Sequence, residues 1–306
     1  MTKLQNGVLP VDKPAGWTSF DVLAKLRGAL GTRRLGHTGT LDPMVTGVLV
    51  VLIGPATAAA DRQPDQDKTY EGTLRLGLAT DTGDLTGTVL RTAPVTAGER
   101  ELLAVLPRFV GNIRQLPPMY SAVKVNGQPL YKAARQGKTV ERTPRPVTIH
   151  AIDYLGSPAP GDFTLRVRCS KGTYIRVLIE DMAKAAGSCG TMTALRRTRA
   201  CGYTLEEAHS LEELQSLAQE GRLEQVLQPV ESLFAVYPAV QVSTAQATRF
   251  QNGGSLDLCR LRQTPQEEGL CRVLSPKGSF LGLGTVDRQE GLLRFAKGFT
   301  EGETAS

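Results

Sequence analysis

The stretch with the clearest chemical potential is a glycine-rich turn that carries one carboxylate and one histidine. Residues 36–43 read GHTGTLDP, and an apolar, β-branched run follows at residues 48–53. The glycines permit positive φ and close approach of a ligand, and Pro43 disfavours helical backbone at Asp42. An acid on such a loop suits catalysis, although an Asp beside Gly and Pro also commonly caps nearby backbone amides. These residues alone leave both interpretations open.

Four further segments resemble motifs of one enzyme family. The turn resembles the catalytic motif of the TruB family of tRNA pseudouridine synthases, G-H-x-G-x-L-D-P-x-A-x-G-x-L. Residues 7–21 are similar to its opening motif G-x-L-x-x-D-K-P-x-G-x-T-S-x-D, and residues 117–137 to its P-x-Y-S-A-x-K insertion. Residues 169–176 (CSKGTYIR) and 195–198 (LRRT) resemble two later motifs. Several matches in the expected order support one another, so the chain is identified as a member of this family.

The resemblance implies an α+β fold, the pseudouridine synthase fold, in which helices flank a mixed, mainly antiparallel sheet. It implies a catalytic domain at residues 1–232 with a basic, RNA-binding insertion at about residues 111–146. Residues 238–306 contain short apolar stretches separated by glycines, and they resemble a small β-rich PUA-like RNA-binding domain. Pro229 and Pro238 are expected to bracket a linker between the two domains.

Local patterns predict the elements that would position the turn. Strands are expected at residues 7–11, 48–53 and 69–78. Ser19 is expected to cap a helix over residues 20–30. A second helix is expected at about residues 174–186. A third helix, from a capping box of Thr96 and Glu99 to about Val110, and a fourth, at residues 244–251, complete the set that bears on the fold.

The implied reaction sets its own chemical requirements. Pseudouridine formation breaks the C1′–N1 bond of uridine, turns the base and rejoins it through C5, so neither a redox cofactor nor an energy source is required. The base must leave its stack, and a carboxylate must stand near the sugar. The resemblance implies that Asp42 is this catalytic aspartate. Attack at C1′, proton abstraction at C2′ and attack on the base all remain open.

The resemblance also assigns the other site residues. Arg176 would pair with the catalytic carboxylate, and Tyr70, in a K-x-Y element, would stack on the target base and act as general base at C5. Tyr174 and Leu195 would line the uracil pocket, and His37 would fill the space that the flipped base leaves. Read alone, Arg176 is more simply a solvent-facing helix residue, and Tyr70 and Leu195 are packing residues.

The charge distribution indicates an anionic partner. The net charge is +6, yet residues 108–145 hold eight basic residues and one acid, which is +7, so the remainder sums to −1. Tyr120 and Tyr131 lie among these charges, an arrangement that suits bases stacked beside phosphates. A merely soluble basic face is the alternative. The candidate contacts to the RNA backbone are Lys124, Lys132, Arg135 and Lys138.

One position departs from the family pattern. After Gly54 the family usually continues x-A-T-K, whereas here Ala56 and Thr57 are followed by Ala58. We expect the missing lysine to remove one phosphate or structural contact and to leave the catalytic residues intact.

Composition excludes several classes of protein. The five cysteines lack a C-x-x-C pair and the three histidines are scattered, which argues against a disulfide framework and a metal site. No apolar run approaches the roughly 20 residues that span a bilayer. We therefore expect a cytoplasmic protein without a metal. The resemblance implies a monomer without a cofactor that acts on the T-arm of tRNA, at the T-loop uridine (position 55). A non-catalytic RNA-binding protein and a synthase for another RNA, such as ribosomal RNA, are the alternatives.

Overall fold

Two β-sheets with helices packed on them form the framework of the molecule. The computed structural model describes residues 6–95, 97–121, 123–125 and 127–299. The strands in these ranges are β1 (Gly7–Lys13), β2 (Leu35–His37), β3 (Thr46–Ile53), β4 (Lys68–Leu76), β5 (Leu78–Thr80), β6 (Val89–Thr92), β7 (Gly111–Gln115), β8 (Lys124–Val125), β9 (Gln128–Pro129), β10 (Arg145–Ala159), β11 (Asp162–Cys169), β12 (Gly190–Ala200), β13 (Tyr203–Thr204), β14 (Ala239–Gln241), β15 (Leu256–Asp257), β16 (Gly269–Leu274), β17 (Phe280–Asp287) and β18 (Leu292–Lys297).

The helices are short and lie mostly between strands. The α-helices are α1 (Ser19–Leu30), α2 (Glu99–Val105), α3 (Leu130–Ala134), α4 (Ile175–Ala185), α5 (Leu211–Gln219) and α6 (Thr244–Gln251). Single 3-10 turns of helix occupy Gly54–Ala59, Leu106–Phe109, Leu205–Glu207, Leu223–Val226, Val230–Phe234 and Leu258–Arg260. Among the described residues, no helix reaches the length and apolarity needed to cross a bilayer.

The larger sheet has nine strands and is mixed but mainly antiparallel, as predicted. Its order is β1-β3-β12-β4-β11-β10-β7, with β2 paired to β3 and β13 to β12. Strands β3 and β12 form the parallel pair, through Arg196 opposite Thr46 and Arg197 opposite Gly47. Gly47 has φ +102°, and a Cβ there would lie 2.1 Å from the Arg197 carbonyl oxygen. Glycine therefore allows the two strands to approach at this point.

Helices α1 and α4 cover one face of this sheet with apolar side chains. Val22, Leu26 and Leu30 of α1 are at most 1% exposed, since they recur at helical spacing on its inner side. The predicted cap was one residue late. Thr18 is the N-cap, because its hydroxyl accepts the Asp21 N–H, and Ser19 is the first helical residue.

Two further elements differ from the sequence prediction. The expected capping residue Thr96 lies outside the described residues, and helix α2 begins at Glu99, with the Gly98 N–H donating to the Glu101 carboxylate. Residues 111–115 of β7 pair with residues 145–149 of β10, so both ends of the expected insertion belong to the sheet. The basic segment therefore leaves the sheet over residues 116–144, where it forms the β8–β9 pair and helix α3.

The C-terminal part forms a five-stranded sheet of order β14-β16-β17-β18-β15. Helix α6 packs on it over the predicted range, Thr244–Gln251. The segment between Pro229 and Pro238, expected as a linker, is packed. Phe234 is 0% exposed, and its ring centroid lies 6.1 Å from that of Phe280 and 5.1 Å from that of Phe299. Aromatic burial therefore joins the two sheets at this segment.

Candidate active site

The loop between β2 and β3 presents Asp42 and is held by backbone hydrogen bonds. The Thr38 N–H donates to the Val50 carbonyl oxygen at 3.1 Å, and the Val45 N–H donates to that of Asp42 at 3.0 Å. The Leu41 N–H donates to the Ser19 hydroxyl at 2.9 Å, and this hydroxyl lies 3.3 Å from the Leu41 carbonyl oxygen. These contacts fix the backbone on both sides of Asp42, whose side chain is 44% exposed.

Arg176, in the first turn of α4, forms an ion pair with Asp42. Its Nη2 lies 3.0 Å from Asp42 Oδ2, and its side chain is only 7% exposed. The same guanidinium donates to the carbonyl oxygens of Thr82 at 2.7 Å and Tyr120 at 2.9 Å. A second carboxylate, that of Asp84, lies 3.4 Å from its Nη1. The arginine is thus oriented by three partners other than Asp42.

Asp84 is a buried member of this network that the sequence analysis did not identify. Its Oδ1 accepts hydrogen bonds from the Thr82 hydroxyl at 2.8 Å and from the Thr86 N–H at 3.0 Å. Gly83 has φ +73°, and a Cβ there would lie 2.2 Å from Glu180 Oε1 on α4. The sequence feature that could have indicated Asp84 is the run of Asp, Thr and Gly at residues 81–87, which predicts a tight turn held by its own side chains.

A cavity of about 300 Å³ opens beside the ion pair. Its lining includes Asp42 and Arg176 together with Tyr70, Tyr174 and Leu195. The structure therefore brings these five predicted site residues together. Strands β4 and β12 and the beginning of α4 supply all of them except Asp42, because these elements are adjacent in the sheet and its covering layer.

Tyr70 is almost fully buried in the wall of this cavity, with 7% of its surface exposed. Burial raises the pKa of its phenol above the ordinary value, and the nearby positive charge of Arg197 opposes that shift. The side chain is therefore a neutral phenol at neutral pH. A neutral ring face is well suited to stacking on a nucleobase.

Tyr174 is fixed through its backbone by a buried amide. Its N–H donates to Gln115 Oε1 at 3.0 Å, and Gln115 Nε2 donates to its carbonyl oxygen at 3.3 Å. Gln115 ends strand β7 and is 2% exposed. The strand that leads into the basic segment thereby holds the residue at which helix α4 begins.

Two buried cations beneath the loop were also missed as site residues. Lys13 is 0% exposed, and its ammonium donates to the carbonyl oxygens of Trp17 at 2.6 Å and Pro43 at 3.2 Å. Burial lowers its pKa to about 8, against the opposing effect of the Asp42 carboxylate. Arg197 donates to the carbonyl oxygen of Gly39 at 3.0 Å. Both cations lie in recognised motifs, D-K-P and LRRT, but the motifs alone do not show what they contact.

His37 lies on β2 and does not line the cavity. Its ring meets Phe20 edge-on, with centroids 5.8 Å apart and planes at 71°. Its Nδ1 is buried and has no hydrogen-bond partner among the described residues. Burial lowers the pKa of the imidazole, and the Arg197 charge acts in the same direction, so the ring is neutral at neutral pH.

The four basic candidates of the insertion lie apart from the cavity. Lys124, Lys132, Arg135 and Lys138 are all exposed. Within the described ranges none of them forms a salt bridge. The Arg135 guanidinium lies 5.5 Å from the centroid of the Tyr131 ring. These charges are therefore free to meet an anion outside the protein. Ala58, at the position of the missing family lysine, is half-buried on the 3-10 helix Gly54–Ala59.

Comparison with known proteins agrees with this fold. Residues 27–175 match the TruB family pseudouridylate synthase N-terminal domain, residues 176–235 the tRNA pseudouridylate synthase B C-terminal domain, and residues 238–294 the C-terminal domain of pseudouridine synthase II TruB. The chain is 44% identical over 290 residues to the tRNA pseudouridine synthase B of Burkholderia mallei (strain NCTC 10247), covering 94% of this chain and 95% of the relative. It is 49% identical over 257 residues to that of Dechloromonas aromatica (strain RCB), covering 84% and 85%.

A solved structure described as a Cbf5-Nop10-Gar1 complex is also similar, with a TM-score of 0.74, 27% identity and coverage of 97% of this chain and 86% of that chain. The chain therefore belongs to the TruB family of pseudouridylate synthases, enzymes that isomerise uridine to pseudouridine in RNA. The predicted pseudouridine synthase fold, with its PUA-like C-terminal domain, is confirmed.

Proposed function

We propose that this protein isomerises the T-loop uridine of tRNA to pseudouridine with Asp42 as its catalytic carboxylate. The observation that carries this proposal is the ion pair of Asp42 with the buried Arg176 at a cavity lined by Tyr70 and Leu195. A half-exposed acid held by a fixed cation is available to a ligand, whereas a structural acid would be enclosed by its partners. The curated relatives from Burkholderia mallei and Dechloromonas aromatica carry the name tRNA pseudouridine synthase B, which supports tRNA as the substrate.

In this proposal the target uridine leaves its stack and enters the cavity. Tyr70 stacks on the base, Tyr174 and Leu195 enclose it, and His37 fills the gap that it leaves in the RNA. The C1′–N1 bond then breaks, the base turns, a C1′–C5 bond forms, and the C5 proton leaves while N1 gains one. Asp42 acts by attack at C1′, by proton abstraction at C2′ or by attack on the base.

Arg176 and Tyr70 have distinct proposed roles. The guanidinium aligns the Asp42 carboxylate during the reaction through their ion pair. Burial raises the pKa of Tyr70, so its phenol stays neutral. Because an ionised phenol would be the stronger base, the neutral form favours a stacking role. Transfer of the C5 proton to its hydroxyl is the alternative, and the two roles can be separated by substitution.

The RNA outside the cavity would be held by charge. Lys124, Lys132, Arg135 and Lys138 would contact phosphates of the T-arm, because they are exposed and lack acidic partners among the described residues. We assign catalysis to residues 1–232 and additional RNA binding to the PUA-like domain at residues 238–306. A tRNA substrate is consistent with a monomeric enzyme of the cytoplasm.

Position-resolved mapping of pseudouridine tests the choice of substrate. The purified protein would be incubated with unmodified tRNA transcripts and, in parallel, with ribosomal RNA fragments. The proposal predicts one new pseudouridine, in the T-loop of tRNA. Modification of ribosomal RNA alone would identify a synthase for another RNA, and binding without modification of either RNA would identify a non-catalytic RNA-binding protein.

A further inference from the structure

Phe20 is an aromatic side chain in the first turn of α1 that the fold leaves in solvent. It is 68% exposed, whereas Val22, Leu23 and Leu26 of the same helix are at most 2% exposed. Its ring contacts His37 edge-on at a centroid distance of 5.8 Å. Because this contact is edge-on, most of the Phe20 ring makes no contact with the rest of the folded protein.

Phe20 is directly connected to the catalytic loop. The next residue towards the N-terminus, Ser19, is hydrogen bonded to Leu41, and Leu41 precedes Asp42. His37, which Phe20 contacts, begins the same loop at the end of β2. The exposed ring therefore contacts the start of the loop that presents Asp42, and the helix that carries the ring is hydrogen bonded to the same loop.

The stretch of sequence that begins at Phe20 is basic, which favours an anionic occupant. Residues 20–40 hold four basic residues and one acid. Arg27, Arg33 and Arg34 are exposed, and in the part of the chain that the structure describes none of them forms a salt bridge. The single acid, Asp21, accepts hydrogen bonds from the N–H and the hydroxyl of Thr18, at 2.9 and 2.6 Å. Its carboxylate is therefore engaged in the helix cap.

We propose that Phe20 is a stacking platform for a nucleobase of the RNA next to the extracted uridine, with Arg27, which lies two turns further along the same face of α1, close to its phosphates. An exposed aromatic face among cations is the combination that binds unpaired nucleotides, because every base offers a π-face and every phosphate a charge. The edge-on contact with His37 holds the ring in place for this purpose. The inference rests on the proposed function in requiring an RNA substrate, but it names a contact outside the catalytic cavity.

The test compares Phe20→Ala and Phe20→Trp with Leu90→Ala as a matched control. Leu90 is also 68% exposed, and it lies on β6, away from the catalytic loop. Equilibrium binding of an unmodified T-arm stem–loop RNA gives the affinity of each variant, and single-turnover rates against protein concentration give the maximal rate separately. We expect Phe20→Ala to weaken binding about 5- to 100-fold. Phe20→Trp should bind at least as well as wild type, and Leu90→Ala should bind like wild type.

Thermal unfolding of the variants should be unchanged, since the ring is exposed. The inference is overturned if Phe20→Ala binds the RNA like the Leu90→Ala control, if Phe20→Trp loses as much affinity as Phe20→Ala, or if only the maximal rate falls. The proposed function fails separately: a wild-type protein that binds the stem–loop through Phe20 but forms no pseudouridine would refute that function and retain this contact.

Discussion

The guanidinium of Arg176 lies 3.0 Å from the carboxylate of Asp42, and the two partners differ in environment, since the arginine side chain is 7% exposed and the aspartate side chain 44%. A buried cation that faces a half-exposed anion is fixed by its other contacts, here the carbonyl oxygens of Thr82 and Tyr120 and the carboxylate of Asp84. The protein thus fixes the position of the positive charge before a substrate arrives. Preorganised charge of this kind is a major source of catalytic stabilisation.

The first prediction concerns Asp84, which orients Arg176 without touching the substrate. Asp84→Asn keeps the shape of the side chain but removes the charge facing the guanidinium. Turnover should fall about 10²-fold, because a small displacement of a positioning group has effects of this size, while RNA affinity stays near the wild-type value. Single-turnover kinetics and equilibrium binding measure the two quantities. Asp81→Asn, in the same turn but bonded to the Thr88 N–H, is the control and should retain wild-type turnover.

A second prediction separates two adjacent hydroxyls at the start of α1. Thr18→Ala removes the helix cap and should cost about 1 kcal/mol of stability with little change in turnover. Ser19→Ala removes the contacts to Leu41 and so releases the loop that carries Asp42. It should lower turnover by more than its loss of stability explains. Ser19→Thr, which retains a hydroxyl, should recover part of the rate. Equal behaviour of the two alanine variants in both assays would show that Ser19 has no positioning role.

Tyr70 allows stacking and proton transfer to be distinguished. Tyr70→Leu removes the aromatic face, worth about 1–3 kcal/mol per stacked base, and should lose both base capture and turnover. Tyr70→Phe should keep base capture, and its rate reports whether the hydroxyl takes the C5 proton. A large fall in rate, with accumulation of the adduct still protonated at C5, would assign the base to Tyr70. A normal rate for the Tyr70→Leu variant would show that the uracil pocket lies elsewhere.

Neutralising Lys132, Arg135 and Lys138 together should weaken tRNA binding and flatten its salt dependence. Removing one lysine or arginine from a phosphate reduces the magnitude of the slope of log K against log[salt] by about 0.7–0.9, so the triple variant should reduce it by about 2–3. Binding measured over a series of salt concentrations gives the slope. An unchanged slope would show that the insertion does not meet the RNA backbone. The fold should be unaffected, since all three side chains are exposed.

The sequence predicted the residues that local motifs define and missed those that distant pairing brings to them. Asp42 and Arg176 were found because each lies in a motif with its own spacing. Asp84 and Gln115 were not found, because their partners lie 92 and 59 positions away in the chain and meet them only after the sheet and α4 have packed. No local pattern encodes such a contact.

The errors in the predicted fold have local physical reasons. Ser19 and Thr18 are both good helix caps, and their partners distinguish them: Thr18 bonds to Asp21 within the cap, whereas Ser19 bonds to the distant Leu41. The burial of the expected linker between the prolines was not predicted: its apolar residues Leu233 and Phe234 are 4% and 0% exposed. Proline indicated a break in regular structure correctly, and it carried no information about burial.

The central claim, that the Asp42 carboxylate performs the chemistry, is tested most directly by Asp42→Asn on an unmodified tRNA transcript. Nucleoside analysis after single-turnover incubation separates uridine from pseudouridine, and equilibrium binding of the same transcript serves as the control. We predict that wild type converts the T-loop uridine and that the Asn variant forms no pseudouridine above background while its affinity stays within a small factor. Appreciable conversion by the Asn variant would contradict the account, and Asp42 would then be a turn-forming residue.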